Sequence, residues 1–127
     1  MASDTVIYPA IFTRDGDYIL VQIPDLEGGY TQGNDLLDAV KMAQDLIGNL
    51  LMDEIHYPTP TDPMNWELNT DEKVVYINTD LNLFRLKYAK RVRKNVTIPA
   101  YLNKLAKQQK VNVSQVLTEA LSEKFGL

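Results

Sequence analysis

The last 35 residues constrain this chain most, because they read as one strand and two short helices with nothing of their own to fold against. In Arg93-Lys94-Asn95-Val96-Thr97-Ile98, the strand period puts Val96 and Ile98 on one face and Arg93, Asn95 and Thr97 on the other. Lys94 falls in the inward phase, so the strand is expected to fray there. Pro99 ends the strand and suits the first turn of a helix. That helix is expected over 99–109, with Leu102, Leu105 and Ala106 on one side and Lys104 and Lys107 outside. Val111-Asn112-Val113 connects to a second helix that Ser114 is expected to cap and that reaches about Phe125. Its apolar positions are Val116, Leu117, Ala120, Leu121 and Phe125, and Gly126 stands where a helix C-terminus favours positive φ. A lone strand lacks a ladder partner, and two short helices bury too little area to be stable. Two copies of the chain solve both problems. Their strands pair into an antiparallel ribbon, and four helices close beneath it around Val96, Ile98, Leu102, Leu105, Val116, Leu117 and Leu121.

Charge divides the chain near the same place. Residues 1–84 carry 3 basic and 15 acidic side chains, a balance of −12, and residues 85–127 carry 10 and 2, a balance of +8. Such asymmetry implies one basic and one acidic partner, and nucleic acid is the usual acidic one. A two-stranded ribbon fits the DNA major groove, where Arg and Asn read base edges bidentately. Arg93, Asn95 and Thr97 are therefore the expected readers. Lys90, Arg91, Lys94 and Lys110 would contact phosphates, as would Asn112 and the backbone N–H groups near Ser114.

The first half reads as a small α+β domain. Residues 6–12 and 18–23 are rich in strand formers, and Asp15-Gly16 between them supplies the positive φ of a tight hairpin. Pro24-Asp25-Leu26-Glu27-Gly28-Gly29 breaks the pairing, and Tyr30-Thr31-Gln32-Gly33 is a third strand. Asn34 or Asp35 can cap a helix over 35–53. Leu36, Val40, Ala43, Ile47 and Leu50 form its apolar stripe, widened by Leu37, Leu46 and Leu51. Gly48 weakens that helix locally, and a close backbone contact there would account for it. Residues 56–72, with Pro58, Pro60 and Pro63, read as a long loop. Residues 73–78 are a last strand. The order implies an antiparallel sheet with a helix packed on one face. The expected division is a body over 1–86, a linker over 87–92 and a strand-helix-helix domain over 93–127.

Several chemistries are excluded. Without cysteine there is no disulfide, thiol nucleophile or thiolate metal site. His56, the single histidine, stands at a helix end with no nucleophile motif nearby. Asp15 and Asp17 fall in a turn, and Asp35 and Asp38 in a first helical turn, where the dipole favours acids. They read as an electrostatic surface rather than a metal-binding nuclease site, and no metal or cofactor is expected. Trp66 reads as an anchor for the long loop, with insertion into a partner as the alternative. No apolar run is long enough to span a membrane. Met1-Ala2-Ser3-Asp4 does not resemble a leader, so a cytoplasmic protein is expected.

Two segments carry a family resemblance. Val96-Thr97-Ile98-Pro99-Ala100-Tyr101-Leu102, followed by Val111-Asn112-Val113-Ser114-Gln115-Val116-Leu117, resembles a ribbon-helix-helix repressor of the Arc/MetJ type. Tyr8-Pro9-Ala10-Ile11-Phe12, followed by Ile23-Pro24-Asp25-Leu26-Glu27-Gly28-Gly29-Tyr30-Thr31-Gln32-Gly33, resembles the N-terminal domain of HicB antitoxins, a reduced RNase H-like fold. The resemblance implies a non-enzymatic antitoxin. Its body would bind and mask HicA, a small basic ribonuclease toxin of double-stranded-RNA-binding-like fold. Its C-terminal domain would bind operator DNA as a homodimer, with tetramers through the N-terminal domains as a further assembly. Asp15, Asp17, Asp25, Glu27 and Tyr30 are the expected toxin-facing residues. Two other readings stand beside it: a repressor whose body senses a small molecule, and a carboxylate nuclease.

Overall fold

The computed structural model describes residues 4–127, so residues 1–3, on which the leader reading rests, lie outside the described residues. The chain divides into two compact units, residues 4–89 and residues 90–127.

In the first unit, β1 (Thr5–Asp15), β2 (Tyr18–Gln22), β3 (Tyr30–Gly33) and β4 (Glu72–Asp80) form a fully antiparallel sheet in the order β3-β2-β1-β4. The expected hairpin is present. Asp15 pairs with Tyr18, and Gly16 takes φ +61° at the first central position of the two-residue loop, as a tight hairpin requires. Pro9 is tolerated inside β1 because the pairing with β2 begins only at Ile11. One flank of Pro9 therefore has no ladder bond to lose.

Helix α1 (Leu36–Leu51) starts where Asp35 accepts the Asp38 N–H at 2.8 Å, an N-cap of the favoured residue type. Asp38 in turn accepts the N–H of Asn34, the residue before the cap, at 2.8 Å, which ties the incoming chain to the first turn. The buried stripe includes Ala39, Ala43, Ile47 and Leu51, with Val40, Leu46 and Leu50 at its margin. Leu36 and Leu37, expected in that stripe, are exposed. The helix turns its alanines to the sheet instead, which lets it lie close to Tyr8, Ala10, Phe12, Val21 and Ile77 at the density of a packed interior.

A helix not foreseen from the sequence, α2 (Leu81–Tyr88), follows β4 directly, with Asp80 accepting the Leu83 N–H as its cap. Lys87 and Tyr88, expected in a linker, close this helix. Its Phe84 ring explains Gly48: a Cβ there would lie 2.4 Å from the ring. The close neighbour is therefore a side chain of α2 and not the backbone contact expected.

Residues 56–71 are an ordered connection containing a single 3-10 turn at Pro63–Asn65. The Tyr8 hydroxyl donates to the Pro58 carbonyl at 2.7 Å, and Thr61 donates to Asp25 through its N–H at 3.0 Å and through its hydroxyl. Burial, then the neighbouring Asp25 charge, hold the Tyr8 phenol above its ordinary pKa, so it stays a donor. Trp66 is half-buried.

In the second unit, α3 (Ala100–Gln108) and α4 (Val113–Lys124) stand where expected. Two details differ. Pro99 precedes the first turn as the cap residue, and the cap of α4 is Asn112 rather than Ser114. The Asn112 side chain accepts the Gln115 N–H at 3.1 Å, which leaves Ser114 inside the first turn.

Both helices end in the same hydrogen-bond pattern. Val111 N–H reaches Ala106 O and Lys110 N–H reaches Lys107 O; Leu127 N–H reaches Ser122 O and Gly126 N–H reaches Glu123 O. Such bonds satisfy the last carbonyls of a helix. The residue in the left-handed position is Gly126 at φ +70° in α4 but Lys110 at φ +55° in α3. Lys110→Gly is therefore expected to stabilise the end of α3 by about 1 kcal/mol, seen as a higher thermal midpoint of the helical signal. An unchanged or lower midpoint would count against it.

Candidate functional site

Three surfaces bear on function. The first is the expected DNA reader. Residues 89–99 form neither helix nor strand, so the strand expected over 93–98 is absent within one chain. Without a second copy it has no ladder to join. Arg91, Arg93, Lys94, Asn95 and Thr97 lie instead on an exposed segment. The apolar residues meant to close beneath the ribbon are open as well. Val96, Ile98, Leu102, Leu105, Val116, Leu117 and Leu121 are between 36% and 52% exposed. No residue from 90 to 127 is buried. Helices α3 and α4 therefore leave their apolar faces uncovered within one chain.

The second surface is the acidic one. Residues 4–89 hold 15 acidic and 5 basic side chains, a balance of −10, and residues 90–127 hold 2 and 8, a balance of +6. The expected toxin-facing residues are scattered over the first unit. Asp15 and Asp17 sit exposed at the hairpin tip, and Glu27 is exposed in the turn before β3. Asp25 is occupied in pinning Thr61, so its carboxylate has a structural task. Asp35 and Asp38 are consumed by the α1 cap. Among the described residues, no three His, Asp or Glu side chains are grouped to hold a metal ion.

The third surface is one that the sequence reading does not find. The helices pack on the sheet face that carries Tyr8, Ala10, Phe12 and Val21. The opposite register positions hold Ile7 and Ile11 of β1, Leu20 of β2, Tyr30 of β3 and Tyr76 of β4, since successive side chains alternate faces. Tyr30 is 67% exposed, Tyr76 55% and Leu20 39%. On this face lies a shallow depression of about 450 Å³, lined by residues of β1, β2 and β3 alone. The available signal is Tyr18-Ile19-Leu20-Val21, apolar in both strand phases. A sheet with one solvated face alternates, whereas a run like this one suits a strand covered on both sides.

One further cluster holds the first unit together. The Arg85 guanidinium donates to Met52 O at 2.8 Å, Glu54 O at 3.3 Å, the Tyr57 hydroxyl at 2.8 Å and Asp4. Tyr57 donates to the same Asp4 oxygen at 2.7 Å. Burial works against the Arg85 charge, but the bonds to Tyr57 and Asp4 outweigh it and hold its pKa above the ordinary value, because they favour the charged form. This group ties the end of α1 to the start of β1 and is structural.

No family model matches the sequence, and no curated protein does either. Solved structures do. The chain is similar to one from a toxin–antitoxin complex of Streptococcus pneumoniae, at 25% identity over 94% of this chain and 99% of that one, with a TM-score of 0.59. It is also similar to the antitoxin HicB of Burkholderia pseudomallei, at 19% identity over 95% of this chain and 97% of that one, with a TM-score of 0.54. The fold is that of HicB. Both units belong to the matched length, so the HicB fold accounts for the α+β body and for the two terminal helices. Among the described residues, no helix is long and apolar enough to cross a membrane.

Proposed function

We propose that this chain is the antitoxin of a type II toxin–antitoxin pair, cytoplasmic and without catalysis of its own. Its acidic body binds and masks a HicA-like basic ribonuclease, and its basic C-terminal unit represses the pair's operon as a ribbon-helix-helix homodimer. The observation that carries this reading is the HicB fold combined with opposite charges on the two units, −10 and +6. An acidic body suits a basic protein, and a basic unit suits DNA. The homodimer is supported by the half-exposed apolar faces of α3 and α4 and by a 93–98 segment with no strand partner. Pairing two such segments supplies the missing ladder and covers Val96 and Ile98, which leaves Arg93, Asn95 and Thr97 facing a major groove.

The test is binding of the full chain to the DNA upstream of its own gene at two salt concentrations. Affinity is expected to fall steeply with salt. Asn95→Ala, which removes one bidentate base contact from each protomer, is expected to lose at least about 10- to 100-fold in specific affinity, while neutralisation of the neighbouring ribonuclease survives. Salt-independent binding, or loss of both activities together, would defeat this division of labour.

A further inference from the structure

The open sheet face offers more than an acidic surface in general, because its middle is uncharged. The charged residues at its register positions, Asp15, Glu72 and Asp80, all stand at strand ends. Between them Ile7, Ile11, Leu20, Tyr30 and Tyr76 supply apolar and aromatic area. An exposed apolar patch with tyrosines on its two edge strands and charge at the strand ends has the composition of a protein interface. The rim decides the partner. Glu72, Asp15 and Asp17 stand at the hairpin end of the sheet, where β1 ends and β2 and β4 begin. Glu27 stands exposed at the opposite end, where the Asp80 carboxylate is already engaged as the cap of α2. A second copy laid face to face would bring carboxylates onto carboxylates at both ends. A basic protein would meet complementary charge at both ends and an apolar floor between them.

We infer that this face, centred on the depression between Ile11, Leu20 and Tyr30, is where a basic protein seats. Its apolar side chains fill the depression, and its cations meet Asp15, Asp17 and Glu72. The inference rests on the antitoxin reading and names its surface. It moves the partner from the Asp25 turn to the sheet and keeps Tyr30, Asp15 and Asp17 from the sequence expectation.

The probe is the small basic protein encoded beside this chain, titrated against the full chain by calorimetry and by association kinetics. Leu20→Arg places a cation on the apolar floor and is expected to weaken binding at least about 30-fold. Tyr30→Ala, at the most exposed ring of this face, is a second variant with little risk to folding and is expected to weaken it about tenfold. Asp15→Asn combined with Asp17→Asn is expected to slow association severalfold at low salt and leave dissociation unchanged. Leu37→Arg, the same kind of change on exposed α1, is expected to bind like the parent chain. Parent-like binding by Leu20→Arg and Tyr30→Ala, with melting curves intact, would overturn the surface and leave the antitoxin reading standing. So would a loss confined to Leu37→Arg. Failure of the parent chain to bind would remove both.

Discussion

Arg85→Ala is expected to destabilise the residue 4–89 unit by about 3 kcal/mol. The reason is the number of partners that lose their shared cation at once. Two carbonyls at the end of α1, the Tyr57 hydroxyl and Asp4 all accept from one guanidinium. The Arg85 and Asp4 side chains are 15% and 22% exposed. Water replaces these bonds poorly, and Asp4 is left as an under-compensated charge. The carbonyl of Met52 also stands at the C-cap of α1, the negative end of its dipole. Arg85→Lys should recover less than half of the loss, because an ammonium cannot span four acceptors in a plane. Denaturant unfolding followed by Trp66, the single tryptophan, isolates this unit from the C-terminal one. A loss below about 1 kcal/mol, the level of an ordinary surface pair, would show that the cluster is dispensable.

Gly33→Ala is expected to cost about 3 kcal/mol, for a steric reason alone. Gly33 has no positive φ, so its backbone would accept alanine. The added Cβ, however, would lie 2.3 Å from Ala39 N, 2.5 Å from Ala39 Cα and 2.8 Å from the Asp38 carbonyl carbon. These are backbone atoms of the first turn of α1, held by the cap that Asp35 and Asp38 build, and they cannot rotate away as a flexible side chain could. The strand and the helix would have to separate, which would open the contact between β3 and α1. The same denaturation experiment reads the effect. A change within about 0.5 kcal/mol would mean the helix shifts at no cost, and the close approach would then not be a constraint.

What is legible in the sequence is what is local. The hairpin is written in Asp15-Gly16-Asp17, the α1 start in Asp35 and the α4 end in Gly126, because turn and cap chemistry acts over a few residues. Helix α2 is not legible. Leu81-Asn82-Leu83-Phe84-Arg85-Leu86 mixes strand and helix periods, and only Leu81 and Phe84 are buried. Without α2, Gly48 has no visible neighbour and Arg85 counts with the basic tail, although its partners are Asp4, Tyr57 and the end of α1. Asn112 and Ser114 are both good caps, and only backbone geometry separates them. The charge division points to two partners. The surface proposed for the basic one depends on strand register, which places Leu20, Tyr30 and Tyr76 on one face from three separate stretches of chain.

The C-terminal unit has no buried residue, and that fact bears on how long the chain survives in a cell. An element whose apolar side chains are covered only by another copy owes its order to concentration, and its folded fraction rises and falls with the number of copies present. Proteases cut the open form in proportion to its population. Scarcity would therefore hasten loss of this segment and abundance would protect it, so turnover amplifies any fall in supply. In the proposed homodimer the same missing core would make the segment a gauge of its own copy number.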